Sequence, residues 1–215
     1  MIRGRRVVRQ WRNGRCQVSF DVFLTLLALA VATLFTPGPN NMMLAASGAN
    51  FGLRPSFPHL FGVAFGFPLM LLTVGLVLGG LVQASPALRE GLRYGGAVLL
   101  LWIAWKIATS GGIGSGSGAA RPMRFFAAAS FQWVNPKAWS MAVAATSQYV
   151  IPDRPIWTAG LVAVTFLTLG LVSATTWVLA GKAIAHWLTT ARRLRIFNLV
   201  MAVLIVASMI QLIVH

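Results

Sequence analysis

Six long apolar stretches, at residues 20–50, 59–82, 92–109, 125–150, 156–181 and 196–214, divide the chain and are separated by short polar or charged turns. A helix needs roughly 20 apolar residues to cross a bilayer, and the stretches meet or approach that length. They are too long and too poor in polar alternation for barrel strands, and too apolar all round to show an amphipathic stripe. The pattern predicts an all-α polytopic membrane protein with six transmembrane helices. The first stretch is overlong: residues 20–50 would span about 46 Å as one straight helix, against a hydrocarbon core of roughly 30 Å. Within it, Thr36-Pro37-Gly38-Pro39-Asn40-Asn41 removes backbone hydrogen bonds where lipid cannot replace them. Irregular backbone at that depth is tolerated where protein encloses it or where it lines a polar cavity, which makes this break the first candidate site.

The fourth stretch is interrupted in the same way by Gln132-Trp133-Val134-Asn135-Pro136-Lys137, with Pro136 lying 99 residues after Pro37. Three spans precede and three follow Ser110-Gly111-Gly112-Ile113-Gly114-Ser115-Gly116-Ser117-Gly118, a stretch with linker composition. A duplicated unit with an odd number of spans enters the membrane in opposite senses, so the expected architecture is two inverted three-helix repeats whose first and fourth helices are broken. The expected organisation is an Arg-rich tail at 1–19, a first repeat at 20–109, a linker at 110–123 and a second repeat at 124–215.

Composition agrees: 57% of residues are apolar and 10% charged, with mean hydropathy +0.75. The formal charge of +15 sets 18 Lys and Arg against Asp21, Glu90 and Asp153. Most of these bases flank apolar spans, where they meet lipid headgroups, and no nucleic-acid-binding motif competes, so nucleic acid is not expected as a partner. Gly114, Gly116 and Ala119 match G-x-G-x-x-A, but after a membrane helix rather than a strand and with no phosphate-loop lysine following. Cys16 is the only cysteine, which excludes an intramolecular disulfide and a thiolate cluster. There is no H-E-x-x-H, no G-x-S-x-G and no pair of intramembrane carboxylates, so an embedded enzyme is disfavoured and neither cofactor nor metal is expected.

The first nineteen residues lack the apolar core of a signal peptide. They read either as a basic tail or as an extension preceding a true start near Val18. Counted, Arg3, Arg5, Arg6, Arg9, Arg12 and Arg15 draw the N-terminus into the cytoplasm. Without them, Arg54, Lys106, Arg121, Arg124, Lys182, Arg192, Arg193 and Arg195 outweigh Arg89, Arg93 and Arg154 on the alternate connections and favour both termini outside.

The breaks suggest their own chemistry. A helix restarting near Pro39 offers unpaired amides and a positive dipole end to a carboxylate. Asn40, Asn41 and Asn135 add neutral donors and acceptors that can meet both halves of a zwitterion without burying a fixed charge. The bland alternative is a simple kink whose asparagines pair neighbouring helices. Lys137 either snorkels to the interface or sits beside the cavity as a carboxylate partner. The candidate substrate-binding set is Thr36, Pro37, Gly38, Pro39, Asn40, Asn41, Asn135, Pro136 and Lys137. Other features read as scaffold: Gly62 with Gly66 and Gly75 with Gly79 at close-packing spacing, Trp102, Trp105, Trp133, Trp139, Trp157, Trp177 and Trp187 as interfacial aromatics, Met42 and Met43 as cavity or core filler, and residues 182–195 as a basic surface helix.

These residues resemble the LysE/RhtB family of bacterial amino-acid exporters over residues 19–214. The resemblance rests on Thr36 to Asn41, Gly48-x-x-x-Gly52-x-Arg54, Ala104-Trp105-Lys106-Ile107-Ala108-Thr109-Ser110, the entry Gln132 to Lys137, and Trp177-Val178-Leu179-Ala180-Gly181. The Ala-Trp-Lys-Ile-Ala-Thr-Ser and Asn-x-Lys elements look most like the branch exporting cysteine and O-acetylserine. The resemblance implies a secondary transporter in the bacterial inner membrane that exports small neutral amino acids by alternating access. An exporter of a basic amino acid or another small polar metabolite is the alternative. It leaves a homodimer open, and it implies proton coupling for which no span carries an acid, so that His59, His186 or a peripheral carboxylate would have to serve.

Overall fold

The computed structural model describes residues 20–78, 86–109 and 121–214. The Arg-rich tail, most of the Gly/Ser linker and Gly79 lie outside the described residues. Among those residues the fold is all-helical, without a strand. The elements are α1 (Phe20–Phe35), α2 (Pro39–Phe51), α3 (Phe57–Thr73) continuing through a π turn (Val74–Leu78), α4 (Pro86–Ala108), α5 (Phe125–Phe131) running into a 3-10 turn (Gln132–Val134), α6 (Pro136–Tyr149), α7 (Pro155–Ala185) and α8 (Ala191–Val214). Proline stands in the first turn of α2, α3, α6 and α7, where its missing N–H is no loss and its fixed φ favours helix.

Both expected breaks are present. α1 and α2 meet at 55° and together have the length and hydropathy of one span. α5 and α6 are separated by the 3-10 turn and by Asn135 in extended conformation. By length and composition, two helices, Phe57–Val77 and Pro155–Ala185, are long and apolar enough to cross a membrane, and three if the bent pair counts as one span. α4 and α8 have the length, 23 and 24 residues, but α4 carries Arg89, Glu90, Arg93 and Lys106, and α8 opens on Arg192, Arg193 and Arg195.

Packing crosses the midpoint of the chain. The broken α1–α2 lies on α7, and α5–α6 lies on α3. One core joins Leu26 and Ala30 of α1, Phe67 and Met70 of α3, Trp139 and Ala142 of α6, and Val162 and Phe166 of α7. Two seams are closed by small residues. At the first, a Cβ added to Gly48 would run into the Val178 carbonyl and one added to Gly181 into the Ala45 carbonyl, so α2 and α7 touch backbone to backbone. At the second, a Cβ at Gly66 would lie 2.6 Å from Ala129 Cα, and one at Gly62 would strike the Phe125 carbonyl, which closes α3 on α5. Gly62 and Gly66 are therefore packing residues, as their spacing predicts. Gly75 meets Thr146 of α6.

Two scaffold expectations need correction. Residues 182–195 do not form one surface helix: Lys182 ends α7 and the arginines open α8, with a turn between. Trp139 is buried in the core, its indole N–H donating to the Trp133 carbonyl at 2.8 Å, and the two rings meet edge to face. They brace the second break instead of facing lipid headgroups. Trp102, Trp105, Trp157 and Trp187 are exposed. Met42 and Met43 are core filler, as their position predicts, packed with Ile103, Phe131 and Ile205.

Candidate functional site

At the first break the last carbonyls of α1 lose their helical partners, because Pro37 and Pro39 have no N–H and the chain turns. Side chains replace them. Asn41 Nδ2 donates to the Leu34 carbonyl at 2.8 Å and to the Thr36 carbonyl at 2.9 Å. Ser173 Oγ of α7 donates to the Leu34 carbonyl at 2.8 Å, and the Thr36 hydroxyl to the Ala32 carbonyl. Asn41 is thus an internal brace that holds α2 at its angle to α1. At the second break Asn135, 1% exposed, caps α6 by accepting from the Lys137 amide at 3.1 Å. Gly38 at the start of α2 gives no such side-chain cap. The first amides of α2 are left for something else.

Two polar links join the breaks. Asn40 and Gln132 form a reciprocal amide pair, with Asn40 Nδ2 to Gln132 Oε1 at 2.8 Å and Gln132 Nε2 to Asn40 Oδ1 at 3.4 Å. Gln132 is fully buried and also donates to the Ala128 carbonyl at 2.9 Å. Lys137 reaches back to the first break, where its Nζ donates to the Thr36 carbonyl at 2.8 Å and lies 3.4 Å from the Pro37 carbonyl. Its stem crosses Gly38 so closely that a Cβ there would lie 2.8 Å from both Cδ and Nζ. Lys137 therefore lines the cavity, with its ammonium on the carbonyls of the first break.

Between the breaks lies a cavity of about 40 Å³, room for about three waters at 10–15 Å³ of accessible space each. Its polar wall is Thr33, Asn40, Asn41, Asn135, Lys137 and Ser173. Its apolar wall includes Phe67, Met141 and Phe166, and Phe67 and Phe166 pack edge to face with ring centroids 5.5 Å apart. Pro68 and Ala64 also line it, and Pro68, inside α3, has no N–H to give the Ala64 carbonyl. No acid is among the lining residues.

Of the nine residues predicted from sequence, Gly38, Asn40, Asn41, Asn135 and Lys137 line the cavity. Thr36, Pro37, Pro39 and Pro136 do not. Thr36 and Pro37 are exposed and act through their carbonyls, while Pro39 and Pro136 are buried helix starts. Sequence reasoning missed Gln132, Ser173 and Pro68. Their signal was a polar or helix-breaking residue inside an apolar span. His59 is buried near the start of α3 and away from the cavity lining, and neither ring nitrogen has a hydrogen-bond partner among the described residues. Those residues contain no group of His, Cys, Asp and Glu that could hold a metal.

A family model described as LysE type translocator matches residues 31–215. The cysteine/O-acetylserine efflux protein of Escherichia coli K12 is 32% identical over 182 residues, covering 84% of this chain and 91% of that protein. The proteins of the same description from Shigella flexneri and from Escherichia coli O6:K15:H31 align with the same identity and coverage. No solved structure matches. The chain belongs to the LysE family of translocators, as a membrane transport protein and not an enzyme.

Proposed function

We propose that this translocator exports small neutral amino acids or their derivatives, of the size of cysteine and O-acetylserine, across the bacterial inner membrane. The observation that carries the reading is a cavity between two helix breaks, lined by neutral amides and one lysine, without an acid. The substrate carboxylate goes to the uncapped amides at the start of α2 and to Lys137. Its ammonium goes to Asn40, and its side chain to Phe67, Met141 and Phe166. A second ammonium, as in lysine, would find no carboxylate and would face Lys137, which disfavours basic amino acids.

The cavity has room for about three waters, a tight fit for a small amino acid, and alternating access would open it to either side in turn. Six spans in two inverted repeats supply the means, one body built from helices of both repeats rocking against the other around the site. The cross-packing of α1–α2 on α7 and of α5–α6 on α3 supports that arrangement. Proton coupling belongs to the same reading, with buried His59 as its candidate because the cavity wall carries no acid. The test is counterflow of labelled amino acids in proteoliposomes. Saturable exchange of cysteine, O-acetylserine or serine, with lysine excluded and exchange lost in Asn40→Ala, is the expected result. Exchange of lysine at equal efficiency, or exchange indifferent to Asn40, overturns the site.

A further inference from the structure

A second concave feature lies on the outside of the helix bundle, between the second half of α4 and the middle of α8. It is a groove of about 410 Å³ walled by apolar side chains, among them Ala104, Trp105, Ala108, Ala202, Val203 and Val206. Ala104 and Ala202 are buried and form its floor, while Trp105, 67% exposed, stands at its edge. In a membrane such a groove draws no hydrophobic driving force, since lipid tails are as apolar as its walls, so it is filled by whatever packs best. Helix geometry adds a direction. Arg195 precedes Ala202 by seven residues and Val206 by eleven, and Arg192 precedes Val203 by eleven, so both arginines lie on the helix face that carries the groove. The rise from Arg195 to Ala202 is about 10 Å. Ile196 and Leu199, both exposed, bridge that interval with apolar surface.

The arginines belong to a wider basic corner. Lys182, His186, Arg192, Arg193 and Arg195 are all exposed where α7 hands over to α8, with the exposed Trp187 beside them. Arg193 donates to the Trp187 carbonyl at 3.3 Å, whereas Arg192 and Arg195 lie on the groove face of α8. None of the chain's three acids lies on α7 or α8. A basic cluster at a helix end above an apolar interhelical groove matches a molecule with an anionic head and a hydrocarbon tail.

We propose that the α4–α8 groove is a binding site for an anionic phospholipid, one acyl chain lying along Ala104, Ala108 and Ala202 and the phosphodiester head meeting Arg192 and Arg195. The test is lipid retention by the purified full-length protein in native mass spectrometry, from detergent mixtures of phosphatidylglycerol or cardiolipin with phosphatidylcholine. Wild type is expected to retain the anionic lipid preferentially. Arg192→Gln/Arg195→Gln should lower that preference by about five-fold per arginine while keeping phosphatidylcholine binding. Ala207→Phe, at an exposed groove position, should reduce retention of both lipid types, with thermal melting used to check that each variant is folded. Equal retention of anionic and neutral lipid by wild type, or folded variants that keep the preference, overturns the proposal. So does cross-linking between Cys residues placed at position 105 of two copies, which would give the groove to a second subunit.

Discussion

Replacing Lys137 by methionine tests the cavity chemistry most directly, because methionine keeps an unbranched stem over Gly38 and deletes only the charge. In this structure the ammonium donates to the Thr36 carbonyl at 2.8 Å, while the Pro37 carbonyl at 3.4 Å is a weak second partner. A hydrogen bond to a charged group contributes about 1.5–3 kcal/mol. If that ammonium transfers to a substrate carboxylate on binding, its removal weakens binding by the same order, or about 10-fold to 150-fold in apparent affinity. A substrate analogue whose carboxylate is converted to a primary amide should lose little. The assay is counterflow dose–response in proteoliposomes for an amino acid and its amide, in wild type and Lys137→Met. A KM for the amino acid within about threefold of wild type refutes the reasoning, given the magnitude above. So does an equal loss for acid and amide, which would make Lys137 a brace of the fold.

Related substitutions separate binding from bracing. Gly38→Ala places a methyl 2.8 Å from Lys137 Cδ and Nζ, so it should displace the ammonium and reproduce the Lys137→Met transport defect, read by the same counterflow titration. Asn41→Ala should act on stability, costing about 1–3 kcal/mol because the Thr36 and Leu34 carbonyls lose a donor; thermal melting in detergent should register it even where substrate affinity is unchanged. A double-mutant cycle on Asn40→Ala and Gln132→Ala should return a coupling of about 0.5–1.5 kcal/mol in the same melts, as expected for neutral amides in direct contact. Additive effects would show that the pair does not form in the membrane.

Much of this arrangement is legible in the sequence because proline and glycine act locally. Pro37, Gly38, Pro39 and Pro136 announce both breaks, and the asparagines beside them announce the polar wall. What each asparagine does is not local. Asn41 and Asn135 are drawn to carbonyl and amide groups orphaned by the turns, while Asn40 pairs with Gln132, 92 residues away. No pattern along the chain distinguishes these fates. Helix ends were misjudged for a related reason. A hydropathy reading stops at charge, so it began the third stretch at residue 92 and the last at 196, but backbone hydrogen bonds continue through charged turns and the helices start at Pro86 and Ala191. Ser173 and Pro68 escaped notice because a single polar residue or proline inside an apolar span is usually tolerated. Their roles depend on which neighbour faces them.

The two glycine seams also bear on how the site would open. At the first, α2 and α7 touch backbone to backbone through Gly48 and Gly181, and at the second α3 touches α5 through Gly62 and Gly66. Backbone contact of this kind cannot slide without steric cost, so each pair should move as one body. Between the pairs, α3 also packs along α7, with Phe67 against Phe166, and the polar links are Asn40 against Gln132 and Lys137 on the Thr36 carbonyl. Breaking those polar links costs about 0.5–1.5 kcal/mol for each neutral bond and about 1.5–3 for the charged one, a sum that a bound zwitterion can offset through its own contacts. The two kinds of contact therefore predict opposite phenotypes. Gly48→Ala and Gly181→Ala force α2 and α7 apart and should lower the melting temperature by overpacking, about 1–3 kcal/mol or more, with transport falling in proportion to folded protein. Gln132→Ala leaves both seams intact and should loosen this arrangement, so that accessibility of a cysteine placed at Ser173 to a water-soluble maleimide, in a Cys16→Ser background, rises without loss of fold. If Gly48→Ala melts like wild type and Ser173→Cys labels equally with and without Gln132, the seams are not rigid and the opening follows another boundary.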